Sequence, residues 1–253
     1  QEGVQEVSNG SFSQEGSEQI TNGDFETDTN WSKEAGWTIS DGKANANVTG
    51  TQAIYQSGIT LYKWYKVTYT ISNYVSGDVR LRVGTTSIPT VRSSNGTFTE
   101  YLYATGTNQV RISPFTNGFT GSIDNVSVKE VAQDWTLEAG WSIGDDRVVS
   151  DGSGSIPNTD LIQGNVFTSG NAYKVTLEIK DYVSGNLQLQ NNTTNFPQSN
   201  GVHTIYSSTG GTSLILRSLS FIGSITNISV KEVGQNWTQT SNNWSFGNNK
   251  AIA

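Results

Sequence analysis

The stretch Gly121-Ser-Ile-Asp-Asn-Val-Ser-Val-Lys-Glu-Val131 is repeated, with two changes, as Gly223-Ser-Ile-Thr-Asn-Ile-Ser-Val-Lys-Glu-Val233. Tyr65-Lys-Val-Thr68 is likewise repeated as Tyr173-Lys-Val-Thr176. The copies are on the order of 100 residues apart, which is the length of a small domain and too long for a solenoid repeat. The sequence therefore predicts one domain written twice in tandem.

The repeat divides the chain into four predicted segments. They are residues 1–21, a linker or the remnant of a preceding repeat; residues 22–131, module 1; residues 132–233, module 2; and residues 234–253, the start of a third, incomplete module. We expect the last segment, if ordered, to pack on the end of module 2 or on another chain. Because the chain starts at Gln1 and the third copy stops at Ala253, we also expect an excerpt of a longer polypeptide or a processed product.

The composition excludes several classes of function. The 253 residues include no Cys and no Met, so disulfides, thiolate metal sites and a Cys nucleophile are ruled out. A net charge of −7 leaves no basic stripe for a nucleic-acid backbone. No apolar run approaches the roughly 20 residues of a membrane-spanning helix. Many Gly, Asn, Ser and Thr residues with few charges are typical of an extracellular β protein.

Alternating apolar and polar side chains predict strands almost throughout. In residues 65–71 every second side chain is apolar, the pattern of a strand with one buried face. Turn signals such as Asn95-Gly96 and Asn200-Gly201 separate short strands at the spacing of an antiparallel sandwich. The fold class that follows is all-β, with no amphipathic helix.

The closing strand of each module changes the parity of its apolar residues. Ile123 is odd, whereas Val126 and Val128 are even. One extra residue in the strand produces such a change, so we predict a β-bulge at Asp124-Asn125. Module 2 shows the same change, which indicates that the bulge belongs to the architecture.

Three motifs carry a resemblance to a known family. Asn22-Gly-Asp-Phe-Glu26, Gly36-Trp37 and Ser122-Ile-Asp-Asn-Val-Ser-Val128 together resemble the β-jelly-roll carbohydrate-binding modules appended to glycan-active enzymes. The tandem Ser-Val-Lys-Glu-Val endings are similar to repeats of virion fibre and tail-associated proteins of bacteriophages. The resemblance covers module 1 well and module 2 more loosely. It implies tandem jelly-roll sandwiches, whereas the fold alone does not fix a function.

The resemblance also implies a structural Ca²⁺ that ties the first strand to the last. It places the ligands at Glu26 and Asp124, with Asp24 nearby. Oxygen ligands suit this hard cation. Module 2 lacks the Asn-Gly-Asp-Phe-Glu segment at its start and carries Thr226 in the place of Asp124, which implies Ca²⁺ in module 1 only. The alternative is that the carboxylates are solvated or cap turns.

Most of the seven Trp residues predict core packing, because they recur at fixed module positions. The recurring residues are Trp31, Trp37, Trp135, Trp141, Trp237 and Trp244. Trp64 differs, since its counterpart is Ala172, and it falls on the polar parity of its strand.

A glycan-binding groove is the functional hypothesis for that exposed face. Its residues would be Trp64, Lys66, Arg80 and Arg82. A Trp ring with planar Arg groups suits stacking on sugar rings and pairing with carboxylates or sulfates. The alternative is that these cations only keep an exposed strand face soluble.

No enzymatic motif is present, and His203 is the single histidine. We therefore expect a non-enzymatic virion structural or adhesion protein of a bacteriophage, located on the virion surface or otherwise extracellular. Its partners would be a cell-surface glycan or other virion proteins, with a homo-oligomer as a further possibility. The alternatives are a bacterial secreted adhesin, accessory modules of a polysaccharide-degrading enzyme, or ligand-free spacer or decoration repeats.

Overall fold

The computed structural model describes residues 2–85, 90–116, 118–155, 159–208, 210–235, 245–247 and 250–252. Within these residues it contains strands and one short 3-10 helix, Gln190–Asn192. None of the described helical segments has the length and apolar character required to cross a membrane.

The strands are short, apart from a few long ones that close each sandwich. In chain order they are β1 (Glu2–Gln5), β2 (Glu15–Glu18), β3 (Ser32–Lys33), β4 (Trp37–Ser40), β5 (Lys43–Val48), β6 (Ile54–Ser57), β7 (Trp64–Gly77), β8 (Arg80–Val83), β9 (Gly96–Tyr103), β10 (Gln109–Ser113), β11 (Phe119–Val131), β12 (Thr136–Leu137), β13 (Trp141–Gly144), β14 (Arg147–Asp151), β15 (Asp160–Gln163), β16 (Ala172–Leu189), β17 (Thr194–Asn195), β18 (Gly201–Ser208), β19 (Leu214–Val233), β20 (Ser245–Gly247) and β21 (Lys250–Ile252).

The first unit, residues 15–133, is a two-layer antiparallel sandwich. One sheet has the order β4-β5-β11-β7-β9, with β2 paired to β11, and the other has the order β3-β6-β10-β8. The alternating apolar side chains of β7 and β8 point inward from opposite sheets and are fully buried. The predicted all-β sandwich is confirmed.

The second unit combines residues 1–14 with residues 134–253. Within the described residues, nine of its strands form one connected set of hydrogen-bonded pairs. This set includes two long strands, β16 and β19, each of which pairs with strands of both layers. By sequence, β16 covers the positions of β7 and β8 together, and β19 covers those of β10 and β11. The second unit is therefore a related sandwich with uninterrupted closing strands.

The predicted bulge is present in both units. The register between β11 and β7 shifts between Asp124 and Ser127, and Asn125 has a left-handed φ of 51°. Asn227 has the equivalent conformation in β19, with φ of 52°. The extra residue explains the change of apolar parity.

The N-terminal residues correct the predicted domain boundaries. Residues 1–21 were expected to be a linker, but β1 pairs with β19 and β2 pairs with β11. We call residues 2–12 the distal leader and residues 15–25 the proximal leader. Both begin with Glu-Gly and end with Asn-Gly-x-Phe. The first strand of module 2, which residues 132–233 lack, is thus the distal leader, and it lies before module 1 in the chain.

Each leader is anchored by its Phe against a Trp of its own unit. The Phe12 and Trp135 rings lie 5.1 Å apart, as do those of Phe25 and Trp31. The indole N–H of Trp135 donates to the Asn9 carbonyl at 3.2 Å. All four rings are buried, as are Trp37 and Trp141, so these four Trp residues have the predicted core role. Trp237 and Trp244 lie outside the described residues.

A glycine lets each leader approach its closing strand. The Gly10 carbonyl accepts the Ile228 N–H at 2.9 Å, and the Gly23 carbonyl accepts the Val126 N–H at 2.8 Å. A Cβ at Gly10 would lie 2.0 Å from the Ile228 carbonyl oxygen, and one at Gly23 would meet Val126 equally closely. Any larger residue must therefore push the leader off the strand.

The described part of residues 234–253 contains one hairpin. β20 pairs with β21, and these two strands form a separate two-stranded sheet among the described residues. The expected addition of this segment to the module 2 sheet is not seen there. Most of the segment on which that expectation rests lies outside the described residues.

The close glycine contact makes a stability prediction. We expect Gly10→Ala to lower the free energy of unfolding of the second unit by about 1–3 kcal/mol, because overpacking against backbone cannot be relieved by a side-chain rotation. Gly164→Ala is the matched control, since a Cβ there meets nothing within 4 Å. Calorimetric melting of the full chain measures both, and equal melting curves for the two variants would contradict the contact.

Candidate functional site

The four residues of the predicted groove do not share one face. Trp64 and Lys66 lie on β7 in the six-stranded sheet, whereas Arg80 and Arg82 lie on β8 in the four-stranded sheet. All four side chains point away from the core, and the outer faces of the two layers look in opposite directions. The prediction of a single groove is therefore wrong.

Lys66 binds the proximal leader. Its Nζ lies 2.6 Å from a carboxylate oxygen of Glu15, and Lys129 lies 3.0 Å from the other oxygen. Hydrogen bonds from Lys66 and then Lys129 lower the pKa of Glu15 below its ordinary value. In the second unit Lys174 and Lys231 hold Glu2 of the distal leader in the same way. This recurrence gives Lys66 a structural role.

Trp64 forms an aromatic pair at the edge of the same sheet. Its ring lies 5.3 Å from the ring of Tyr103 on β9, with an angle of 44° between the planes. Both rings are partly exposed. The pair therefore lies on the six-stranded sheet, whereas Arg80 and Arg82 lie on the four-stranded sheet.

The four-stranded sheet carries a row of cationic and aromatic side chains on its outer face. Arg111 on β10 is directly opposite Arg82 on one side and Tyr55 on the other. Its guanidinium lies 5.4 Å from the centroid of the Tyr55 ring and donates to Glu34 at 2.9 Å. Their neighbours Ile54, Leu81, Val110 and Ile112 are fully buried on the inner face. We call Tyr55, Arg80, Arg82, Arg111 and Phe115 the arginine face.

Phe115 extends the arginine face beyond the end of the strand. The guanidinium carbon of Arg80 lies 4.4 Å from the centroid of the Phe115 ring, whose residue is 47% exposed. The Asp78 carboxylate accepts the backbone N–H groups of Phe115 and Thr116 and the Thr116 hydroxyl. Burial acts against the charged form, but these hydrogen bonds lower the pKa of Asp78. The charged carboxylate thus fixes the loop that presents Phe115.

Arg82 is a cation without an anionic partner among the described residues. Within the described residues its guanidinium makes no ion pair, and its Nε is buried without a hydrogen bond, as is the Nε of Arg80. Burial, followed by the charges of Arg80 and Arg111, lowers the pKa of Arg82. Three guanidinium groups therefore repel one another here; Glu34 pairs with Arg111 and the charge of Asp78 acts on Arg80, whereas Arg82 has neither partner. An anion placed there would relieve both the repulsion and the unpaired donors.

The second unit does not have an arginine face. Gln188 and Gln190 occupy the positions of Arg80 and Arg82, and Ile215 that of Arg111. The nearby cation, Arg217, is bound by both oxygens of Asp160 at 2.7 Å, and this hydrogen bonding raises its pKa. Among its described residues, the second unit thus offers no unpaired cation at this place.

The residues expected to bind Ca²⁺ lie at one end of the first unit. A Cβ on Gly42 would be 3.5 Å from a Glu26 carboxylate oxygen and 3.9 Å from the Asp24 carbonyl oxygen. The Asp124 carboxylate accepts the N–H of Asn125 at 2.6 Å. Within the described residues no three acidic or histidine side chains gather as a metal site. A cation here would therefore need backbone carbonyl oxygens as well.

The second unit shows that carbonyl groups face this position. Thr226, at the place of Asp124, directs its hydroxyl to the carbonyls of Asp146 at 2.8 Å and Ser11 at 3.3 Å. Their counterparts in the first unit are Gly42 and Asp24. A carboxylate cannot donate to carbonyl oxygens, whereas a hard cation binds both kinds of oxygen. The residues of the first unit thus fit Ca²⁺, which remains a prediction.

Comparison with known proteins identifies similar architectures only. No family model and no curated protein matches the chain. The tandem CBM22-1-CBM22-2 domain of Paenibacillus barcinonensis Xyn10C is similar over 86% of this chain and 98% of that chain, with 8% identity and a TM-score of 0.36. Allantoicase from Saccharomyces cerevisiae matches over 77% of this chain and 82% of its own, with 9% identity and a TM-score of 0.29. Similarity this low says nothing of the function of this chain.

Sequence reasoning found two of the five residues of the arginine face. It missed Tyr55, Arg111 and Phe115. Arg111 could have been found, because it alternates with Val110 and Ile112 and must therefore point outward. Phe115 lies in a loop without periodicity, so no local pattern could have placed it.

The clamp on Glu15 makes a pH prediction. The lowered pKa means that the stability Glu15 contributes is present above its unfolded pKa and is lost as the pH falls through its folded pKa. We expect Lys66→Met to raise the pKa of Glu15 toward its ordinary value in an NMR titration of the full chain. Lys43→Met should leave it unchanged, because Lys43 donates to Ser72. An unaltered Glu15 titration in Lys66→Met would refute the clamp.

The carbonyl-lined position makes a metal prediction. We expect Ca²⁺ to raise the melting temperature of the first unit and a chelator to reverse this, because the cation would join the first strand to the last. Asp124→Thr, which installs the hydroxyl of the second unit, should abolish the response without unfolding the chain. Calorimetry of the full chain tests this, and a melting curve indifferent to chelation would show the prediction to be wrong.

Proposed function

We propose that the first unit binds acidic glycans through its arginine face and that the protein has a non-enzymatic, adhesive role. The observation that supports this most directly is Arg82, a partly buried guanidinium without an anionic partner among the described residues, next to two further arginines. In an otherwise acidic chain, with net charge −7, three guanidinium groups are gathered at this place. A polyanion is the ligand class that such a place selects.

The aromatic rings make a saccharide the favoured polyanion. Tyr55 and Phe115 flank the guanidinium row at opposite ends, each in contact with an arginine. Aromatic faces stack on sugar rings, while planar guanidinium groups bind carboxylate or sulfate with two parallel hydrogen bonds. A glycan carrying either acidic group would use both features at once. The sheet that carries the arginines supplies a rigid support for such contacts.

The biological setting is the finer part of the proposal. We assign the chain to a bacteriophage virion, as a fibre or tail-associated protein that contacts a host-surface glycan. The support for this setting is the resemblance of the tandem Ser-Val-Lys-Glu-Val repeats alone. Detection of the chain in purified virions by mass spectrometry tests it, and its presence only in a culture supernatant would favour a secreted bacterial adhesin.

Binding to acidic polysaccharide should depend on Arg82. We expect Arg82→Gln, which installs the residue type of Gln190, to weaken binding to polygalacturonate or dextran sulfate by about 10- to 100-fold, since hydrogen bonds to charged groups contribute about 1.5–3 kcal/mol. Neutral dextran should bind weakly to both proteins. Calorimetric titration or affinity electrophoresis measures the difference.

The matched control is Trp64→Ala, which removes an aromatic ring from the other sheet. It should bind acidic polysaccharide as the unaltered protein does. If Trp64→Ala abolishes binding while Arg82→Gln retains it, the six-stranded sheet is the site and the arginine face is not. Equal binding of polyanions by all three proteins would show that the interaction is not located at either place.

A further inference from the structure

The distal leader is a separable strand whose partners all lie in one unit. Within the described residues, its hydrogen bonds and ion pairs to other segments go to residues 163, 174 and 226–231 and to the Trp135 ring. Its next residues in the chain, Ser13 and Gln14, lead directly into the proximal leader, which belongs to the other unit. The strand and its acceptor are thus separated in sequence by all of residues 15–133.

The acceptor recognises the leader by a defined set of contacts. Gln5 accepts the backbone N–H of Val230 at 2.8 Å and the Ser229 hydroxyl at 3.1 Å, and its amide donates to the Ile228 carbonyl at 3.2 Å. Glu2 binds two lysines, and Phe12 is buried against Trp135. We call this acceptor surface of β19 and its neighbours the leader seat.

Every one of these contacts could be made by a leader from another molecule. The hydrogen bonds, ion pairs and ring contact given above all lie within the second unit, so a leader supplied in trans would make the same contacts. In the closed form the leader binds its own chain, and in the exchanged form it binds a second chain. These forms then differ only in the conformation of the hinge at residues 13–14, and protein concentration sets their proportions. The leader precedes the first unit in the chain and its seat follows that unit, so closure within one chain must join segments separated by all of residues 15–133.

We propose that the leader seat is a strand-binding site that accepts the distal leader of a second copy of this chain. Chains would then link by exchanged strands, each donating residues 2–12 to the second unit of its neighbour. Main-chain pairing supplies the affinity and the Asn-Gly-x-Phe turn supplies the register. The proposal is independent of glycan binding, because the arginine face belongs to the first unit.

Disulfide trapping tests the exchange. Because the chain contains no Cys, every disulfide that forms must join introduced cysteines. Glu2 and Val233 face each other across β1 and β19. A Glu2→Cys chain and a Val233→Cys chain are unfolded together, refolded as a mixture and oxidised. Refolding is carried out at concentrations up to about the millimolar range, because a tethered leader reaches an effective concentration of that order at its own seat. We expect a covalent heterodimer well above the amount of either homodimer.

Two controls make the result decisive. Adding Gly10→Val to the Glu2→Cys chain should remove the heterodimer, since its side chain would collide with the Ile228 carbonyl. The chain that carries both cysteines should form an internal bond when refolded dilute. A monomeric mixture alongside that internal bond would overturn the proposal, as would a heterodimer that survives Gly10→Val.

A second readout needs no introduced cysteine. The unaltered chain, refolded over the same concentrations, should contain a dimer whose fraction rises with concentration and which persists on dilution until the chain is unfolded. The Gly10→Val chain should stay monomeric in size-exclusion chromatography with light scattering. An unaltered chain that is monomeric throughout would refute the exchange.

Discussion

The close approach of a glycine carbonyl to the bulged closing strand is the contact on which each sandwich depends. Gly10 and Gly23 accept the first N–H groups beyond the bulges, from Ile228 and Val126. The left-handed asparagine of each bulge turns the strand so that this N–H faces the leader. A Phe then closes the end of the core. Without the glycine, the backbones could not approach, and neither the leader ion pairs nor the ring contact would form.

The sequence predicted the architecture well where the signal was periodic. Strand alternation in residues 65–71, the parity change around Asp124 and the recurring Trp37 and Trp141 all described local geometry that the fold preserves. The leaders could not be predicted in the same way, because the Asn-Gly-x-Phe segment that completes module 2 lies before module 1 in the sequence. Its position before module 1 is a matter of topology, which local periodicity does not contain.

The prediction of a single groove was wrong for a different physical reason. The alternation of apolar and polar residues along each strand indicates that Trp64 and Arg80 both point away from the core, but a sandwich has two outer faces. Consecutive strands of a jelly roll often change sheets, as β7 and β8 do here. Only pairing between strands distant in sequence, such as β8 with β10, decides which outward residues meet. Alternation could therefore show that Arg82 and Arg111 point outward, but not that they are neighbours on one face.

The two units act as controls for each other, because one chain provides both sandwiches under the same conditions. Contacts present in both, such as the lysine pairs on Glu2 and Glu15, account for how a leader is held and need no further role. Residues present in only one unit are not needed to hold a leader or to close a sandwich, since the other unit does both without them. Arg82 is such a case, since Gln190 serves the same place in a sandwich that closes equally well. A repulsive row of arginines does not help the first unit to fold, and a ligand that neutralises it gives the row a physical reason.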